Sequence, residues 1–265
     1  MPVLNPIEQY GRAASSDAPQ LLAAALSSAC AAHYDRARHA FDYARFTESP
    51  EFDELRVAAR ALADFDCAGL GIGLRLAFWL NVYNALVLHA VVARRALSGV
   101  RSVGDFFTAS QYMIGGHVFS LDEIEHGLLR VNAPRLAFGA TPLRRGEPRY
   151  ALAPFIFDER VHFAMYSACR SSPAPAAYAA GNLTQSLERA ACDYLAAHVR
   201  LGVDRASLVV PKLFDWYAAD FGGKRGVLEF VLARMPGDDI TAAAERHGLR
   251  LRLRYADFDW TLNAV

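Results

Sequence analysis

Gly73-Leu74-Arg75-Leu76-Ala77-Phe78-Trp79-Leu80-Asn81-Val82-Tyr83-Asn84-Ala85-Leu86-Val87-Leu88-His89-Ala90-Val91-Val92-Ala93-Arg94-Arg95-Ala96 is the longest apolar run in the chain, and the architecture turns on it. Wound as a helix, it places apolar residues in every angular sector rather than along one stripe, which is the pattern of a helix buried on all sides. It is long and apolar enough to raise a membrane span. Asn81, Asn84 and His89 stand near its middle, however, and polar groups there are costly in lipid. The expectation is a central core helix over Gly73–Ala96, stopped by the small residues Ser98-Gly99. Trp79 and Tyr83, paired i,i+4, read as core. Asn81 and Asn84, spaced i,i+3, must be hydrogen-bonded if buried, either lining a substrate cavity or holding an adjacent loop.

On either side of this helix, Leu21–Ala32 and Glu51–Ala63 carry helical spacing, and Tyr112–Phe119 holds two short apolar runs around Gly115-Gly116, the pattern of a β-hairpin. Ser120-Leu121-Asp122-Glu123 is a capping box, which predicts a helix from Ser120 to about Arg130. Pro134–Pro154 has no periodicity and predicts a loop able to act as a lid. Arg160–Tyr166 alternates like a strand, with Val161, Phe163 and Met165 opposite Arg160, His162 and Tyr166. Leu183–Val199 reads as a helix, and Ser207–Val210 and Leu249–Arg254 as strands, the second alternating Leu with Arg. The predicted class is α+β, mainly helical, with a small, mostly antiparallel β-sheet around the buried central helix and no βαβ alternation. Residues 1–33 read as an N-terminal helical extension and 34–265 as a single domain.

The chain has 265 residues, and 53% of them are hydrophobic, enough for a full core, which excludes a disordered chain. Lys and Arg number 28 against 28 Asp and Glu, so no basic excess points to nucleic acid. Met1–Pro6 lacks the basic and apolar regions of a secretory signal. The expectation is a cytoplasmic protein with no nucleic-acid or membrane partner. Cys30, Cys67, Cys169 and Cys192 form no CxxC pair and predict free thiols. His117, Glu123, Glu125, His126 and His162 show neither HExxH nor His-x-His spacing, so no metal is expected. Gly71-x-Gly73 and Gly222-Gly223-Lys224-Arg225-Gly226 match no phosphate or dinucleotide fingerprint, and no cofactor is expected.

Two groups of residues carry chemistry. On the helix begun by Ser120, Leu121, Ile124, Leu128 and Leu129 form the apolar stripe, and Glu125 lies inside it. Burial raises a carboxyl pKa unless a cation or donors compensate, which makes Glu125 an acid/base candidate, a histidine orienter or a structural carboxylate. A donor from His162, an Asn of the long helix or an Arg is expected beside it. His126, to one side of that face, reads as exposed or capping. His162 precedes the Ser/Cys loop Ser167–Ser172, in which Cys169, Ser167 or Ser171 could be a nucleophile served by the imidazole. The plainer alternative is a serine-rich turn bonding its own backbone. Arg130, Arg135, Arg144, Arg145 and Arg149 gather around the irregular loop and either meet an anionic substrate or form a solvated basic loop. Asn81, Asn84, Tyr112, His126 and Arg130 are the substrate-binding candidates.

Six collinear motifs resemble the DUF547 family: Phe78–Leu86, Tyr112–Gly116, Ser120–His126, Arg160–Ala164, Pro211–Tyr217 with Asp220-Phe221, and Asp259–Asn263. The resemblance spans about residue 34 to the C-terminus and makes 34–265 a DUF547-like domain. Bacterial members often have cysteine where this chain has Ser167 and Ser172, with Cys169 here instead. Plant members that join the domain to a coiled coil imply a scaffolding role as one possibility. Three functional readings follow. The first is an enzyme acting on an acyl, amide or ester bond of a small molecule or peptide. There His162 is the base, Cys169 or Ser167 the nucleophile, and Glu125 or an Asn the orienting group. The second is an isomerase, lyase or cyclase in which Glu125 and His162 transfer protons without a covalent step. The third is a non-catalytic protein-interaction module.

Overall fold

The long apolar stretch is helical over Ile72–Ala93, shorter at its C-terminal end than its composition suggests. The helix stops in a Schellman arrangement: Arg95 adopts a left-handed φ of 52°, its N–H reaches Val92 O, and Ala96 N–H reaches Val91 O. Trp79, Leu80, Val82, Leu86 and Val87 are wholly buried. By length and composition the helix could cross a membrane, yet 83% of its apolar window is buried inside the protein.

The computed structural model describes residues 2–6, 15–96, 98–135, 139–144, 146–154, 156–235 and 238–265. Two compact units are present, Met1–Leu183 with Trp260–Val265, and Thr184–Asp259. The first contains α1 (Ala18–His33), β1 (Tyr34–Asp35), β2 (Ala40–Phe41), α2 (Tyr43–Thr47), α3 (Pro50–Ala61), α4 (the long helix), α5 (Phe106–Ala109), β3 (Gln111–Ile114) and β4 (His117–Ser120). Helix α3 starts where Ser49 Oγ accepts the Phe52 N–H at 3.3 Å and Pro50 occupies the first turn. Helix α1 packs its buried Leu22, Leu26 and Ala29 on α3 and α4, so the N-terminal helical segment is part of this unit's core.

Strands β3 and β4 pair antiparallel through Gly115 and Gly116, both at positive φ (57° and 74°), the tight turn expected between apolar runs. Gly115 also approaches the Phe65 carbonyl so closely that a Cβ would sit 2.9 Å from its oxygen. The capping box is formed: the Ser120 N–H donates to Glu123 Oε2 (2.9 Å) and the Glu123 N–H to Ser120 Oγ (3.1 Å). Beyond it the chain winds as a π-helix over Glu123–Leu129 rather than as a plain α-helix.

The second unit holds α6 (Leu183–His198), β5 (Arg200–Leu201), β6 (Ser207–Val210), α7 (Leu213–Trp216), α8 (Gly223–Leu232), α9 (Asp238–His247) and β7 (Arg252–Tyr255). Three of the four strand pairings among the described residues are antiparallel; β6–β7 is parallel, its connection carried by α7, α8 and α9. The class is therefore mainly helical α+β with small, mostly antiparallel sheets.

Two local expectations are corrected. Arg160–Tyr166 forms no strand; Glu159–Phe163 is a 3-10 turn, started by Asp158, whose carboxylate accepts the Arg160 N–H (3.0 Å) and binds its guanidinium. The apparent alternation fails because residues 161–166 are all buried, leaving no second face. In Leu249–Arg254, Gly248–Arg250 is likewise a 3-10 turn, and only Arg252–Tyr255 enters the sheet.

Candidate functional site

The π-helix gathers the charged cluster of the first unit. Its i,i+5 winding is visible in Arg130 N–H to Glu125 O (2.9 Å) and Asn132 N–H to Gly127 O (3.0 Å), and such insertions are frequent at functional sites. Gly127 permits it, since a Cβ there would stand 2.9 Å from Leu143 Cγ. Leu143 is pinned in turn: Asn132 Nδ2–H donates to its carbonyl and its N–H donates to Asn132 Oδ1, both at 2.9 Å. The chain leaves the π-helix through Val131 and Asn132, both at positive φ (49° and 63°), a strained exit for a β-branched residue.

Glu125 is withdrawn from water, its side chain 13% exposed, as its place in the apolar stripe predicts. The Tyr83 hydroxyl, on α4 and not among the donors expected from sequence, donates to Oε2 at 2.9 Å. His126 corrects the reading of an exposed side chain, because it is buried. Arg130 Nη1 donates to His126 Nδ1 at 2.8 Å and to the Pro134 carbonyl at 3.1 Å. A guanidinium has no acceptor, so Nδ1 carries no proton and the ring N–H is on Nε2. That Nε2 lies 3.4 Å from Asp122 Oδ1 and 3.8 Å from Glu125 Oε1. Arg135, more than half exposed, pairs with Asp122, and Arg149 binds Glu123 at 2.9 Å.

The amides of the long helix hold loops. Asn81 Nδ2–H donates to Tyr178 O (2.8 Å) and accepts the Tyr178 N–H (2.7 Å). Asn84 donates to Ala164 O and Ala176 O and accepts the Tyr166 N–H. The Tyr112 hydroxyl is buried, donating to Leu86 O (3.0 Å) and accepting from His89 Nδ1 (3.0 Å). His162 is buried in its 3-10 turn, its ring centroid 6.2 Å from that of Phe157.

The Ser/Cys loop is a second, tightly strapped feature. Ser167 Oγ, partly accessible, is 3.3 Å from Sγ of the fully buried Cys169, with Ala168 between them at a left-handed φ of 58°. Ser172 plays the structural part, accepting the Ser167 N–H and donating to Pro173 O, both at 2.8 Å; Ser171 beside it is half-buried. His39, which no local pattern marks, donates from Nε2 to Ser172 O (2.8 Å) while its Nδ1 accepts the Tyr34 hydroxyl (2.6 Å). An isolated antiparallel bridge joins Leu262, near the C-terminus, to Cys169. Asn263 accepts the Tyr166 hydroxyl at 2.6 Å, and Tyr43 lies 2.5 Å from that hydroxyl. Burial pushes both phenols well above their ordinary range, so both keep their protons.

Thus the structure brings Glu125, His126 and Arg130 together with Tyr83 and Asp122, and separately joins Ser167 to Cys169. The 134–154 segment includes a 3-10 turn over Pro148–Leu152; residues 136–138 and Arg145 lie outside the described residues, and Arg144 gives its N–H to Glu147 Oε2. The four cysteines are free thiols, and among the described residues no three His, Cys, Asp or Glu side chains form a metal-holding group. Of the residues that local reading passed over, Asp122 alone left a signal, since Asp122, His126 and Arg130 repeat at i,i+4. No curated protein and no solved structure matches the chain. A family model described as "Protein of unknown function, DUF547" matches residues 73–195, a stretch containing the first four of the six motifs. This stretch, which carries Tyr83, the π-helix, His162 and the Ser/Cys loop, is similar to the DUF547 family.

Proposed function

We propose that the chain is an enzyme that moves protons on a small molecule, as an isomerase, lyase or cyclase does, with Glu125 as the acid/base group. The observation that carries this reading is the Tyr83 hydroxyl on Glu125 Oε2 at 2.9 Å, with the carboxylate largely withdrawn from water. Desolvation makes a carboxylate a better base than it is in solvent, and a fixed donor aims its other lone pairs. His126, its tautomer set by Arg130, presents Nε2–H on the same side as Glu125 Oε1. The half-exposed Arg135 offers a cation at the edge of the cluster for an anionic substrate. The reading takes a cytoplasmic protein with a small-molecule substrate and no nucleic-acid or membrane partner. Isotope exchange tests it and picks out the substrate at the same time. Incubating the chain with a small-metabolite extract in heavy water should place deuterium on a carbon of a discrete compound. Glu125→Gln should abolish that label while keeping a cooperative melt. Labelling that is unchanged in Glu125→Gln, or absent with the wild type, overturns the reading and favours an interaction module.

A second reading, acyl, amide or ester chemistry at the Ser/Cys loop, is favoured by one contact: Ser167 Oγ at 3.3 Å from Cys169 Sγ across a strained residue. His162 is the base in this reading. A fluorophosphonate or iodoacetamide adduct mapped to Ser167 or Cys169, and lost in His162→Asn, would support it; an unlabelled loop would remove it.

A further inference from the structure

The Leu/Arg alternation of β7 takes no part in the chemistry above. In the three-stranded sheet, register sets Arg200 beside Val209 and Val209 beside Arg254, with Ser207 beside Arg252. Residues two apart on a strand share a face, so Arg200, Arg252 and Arg254 stand together, all exposed, around the half-buried Val209. Arg200 and Arg254 are two strand spacings apart, roughly 9–10 Å between backbones.

At the β5–β6 turn, Asp204 binds Arg252 Nη2 at 2.8 Å and Arg254 Nη2 at 3.2 Å. Asp204 is itself fixed by the Ser207 hydroxyl (2.7 Å) and the Ala206 N–H (3.1 Å). Ser207 can reach it because residue 202 is glycine, where a Cβ would collide with Ser207 Oγ. Those two donors, with Arg254 and Arg252 behind them, hold the Asp204 carboxyl below its ordinary range. Two of the three guanidinium groups therefore share one carboxylate, and among the described residues the third, Arg200, has no ion-pair partner. Between them runs a groove of about 540 Å³ lined by Arg200, Leu201, Val203, Asp204, Val209 and Arg254. That volume is in the range of small-molecule sites. Its rim carries Val203, fully exposed.

We propose that this groove binds a small organic dianion, a phosphate monoester or dicarboxylate with an apolar body, the charge held by Arg200 and Arg254 and the body lying over Val209 and Val203. The two uncompensated positive charges match a dianion, and guanidinium forks pair bidentately with phosphate and carboxylate oxygens. Asp204 is the positioning residue that keeps two of the three arginines on this face. The apolar floor distinguishes the ligand from an inorganic ion, and a chain with 28 basic and 28 acidic residues supplies no extended field for a long polyanion.

Titration calorimetry on the full chain at low ionic strength tests this, with phenyl phosphate, phthalate, inorganic phosphate and heparin as the probes. Phenyl phosphate or phthalate should bind saturably at one site, more tightly than inorganic phosphate, and the tighter of the two names the kind of anion. Arg200→Gln and Arg254→Gln should each weaken binding on the order of tenfold, the loss of one charge-assisted contact. Val209→Ser should narrow the advantage over inorganic phosphate, and Arg225→Gln, whose exposed side chain pairs with Glu229, should change nothing. The replaced arginines are exposed, so the variants should melt as the wild type does. Linear uptake, wild-type affinity in the two groove variants, or binding of heparin alone would overturn the proposal.

Discussion

Arg130 and His126 stand one turn apart on the π-helix, and the guanidinium donates to the imidazole Nδ1 at 2.8 Å. Both side chains are buried, so the pair fixes one tautomer, Nε2–H, and points it at Asp122 and Glu125. Arg130→Met removes that donor and the one serving Pro134 O. It should cost about 1–3 kcal/mol, the range for a buried hydrogen-bonding group that loses its partner. Nitrogen-detected NMR of the ring should show a single Nε2–H form in the wild type and a mixture in the variant. A single unchanged form in Arg130→Met would show that something else sets the tautomer.

His89 gives the protein an acid-sensitive core. It is wholly buried on α4, and burial first, then Arg56 and Arg60, pushes its pKa down from 6.5 to about 4. The unfolded chain takes a proton on this ring below about pH 6.5, the folded chain only below about 4. Stability from this source is thus complete above pH 6.5 and falls as the pH drops toward 4. The total is about 3 kcal/mol, from roughly 1.4 kcal/mol for each pH unit between the two values. Urea unfolding at pH 7, 5.5 and 4.5 should show the decline, and His89→Asn, which keeps a donor for Tyr112, should flatten it. Parallel curves for the two proteins would rule out a depressed pKa.

Trp79 anchors the same helix, fully buried and donating from Nε1 to Leu152 O at 2.9 Å. Trp79→Ala should lower unfolding stability by about 3–5 kcal/mol, as large aromatic deletions in a core do. Wild-type stability in that variant would place the helix at the periphery.

Gly127 is where the π-helix meets Leu143. Because Asn132 pins the Leu143 backbone from both sides, Gly127→Ala should cost about 1–3 kcal/mol by overpacking. Coupling to Leu143→Ala gives a sharper readout: the double variant should recover part of the loss attributable to Gly127→Ala. Strict additivity would show that the methyl group is accommodated without strain.

Thiol reactivity separates the cysteines. Burial, and then Asp66, pushes the Cys67 thiol up to about 12, and burial alone outweighs Arg36 to do the same for Cys30. Cys169 is fully buried, while Cys192 is half-buried on α6. A colorimetric thiol titration of the native protein at pH 8 should modify Cys192 first and reach the other three only on unfolding. Rapid modification of Cys67 would contradict the packing against Gly115.

Local features are legible along the chain. The burial of Gly73–Ala96 follows from apolar residues on every side, the capping box from Ser120 and Glu123 three residues apart, and the hairpin from two adjacent glycines. In each case the partners lie within a turn or two, where chain geometry alone sets the distance. Contacts between distant segments are of another kind. Glu125 takes a donor from Tyr83, 42 residues away, and the Ser/Cys loop is held by His39, 133 residues from Ser172. Two apparent strands differ for the same reason: Arg252–Tyr255 found β6 as a neighbour, whereas Glu159–Phe163 settled into a turn capped by Asp158. A strand exists only when another strand supplies its ladder, and a charged side chain is buried only when the fold brings it a partner. Neither condition is written in spacing along the chain.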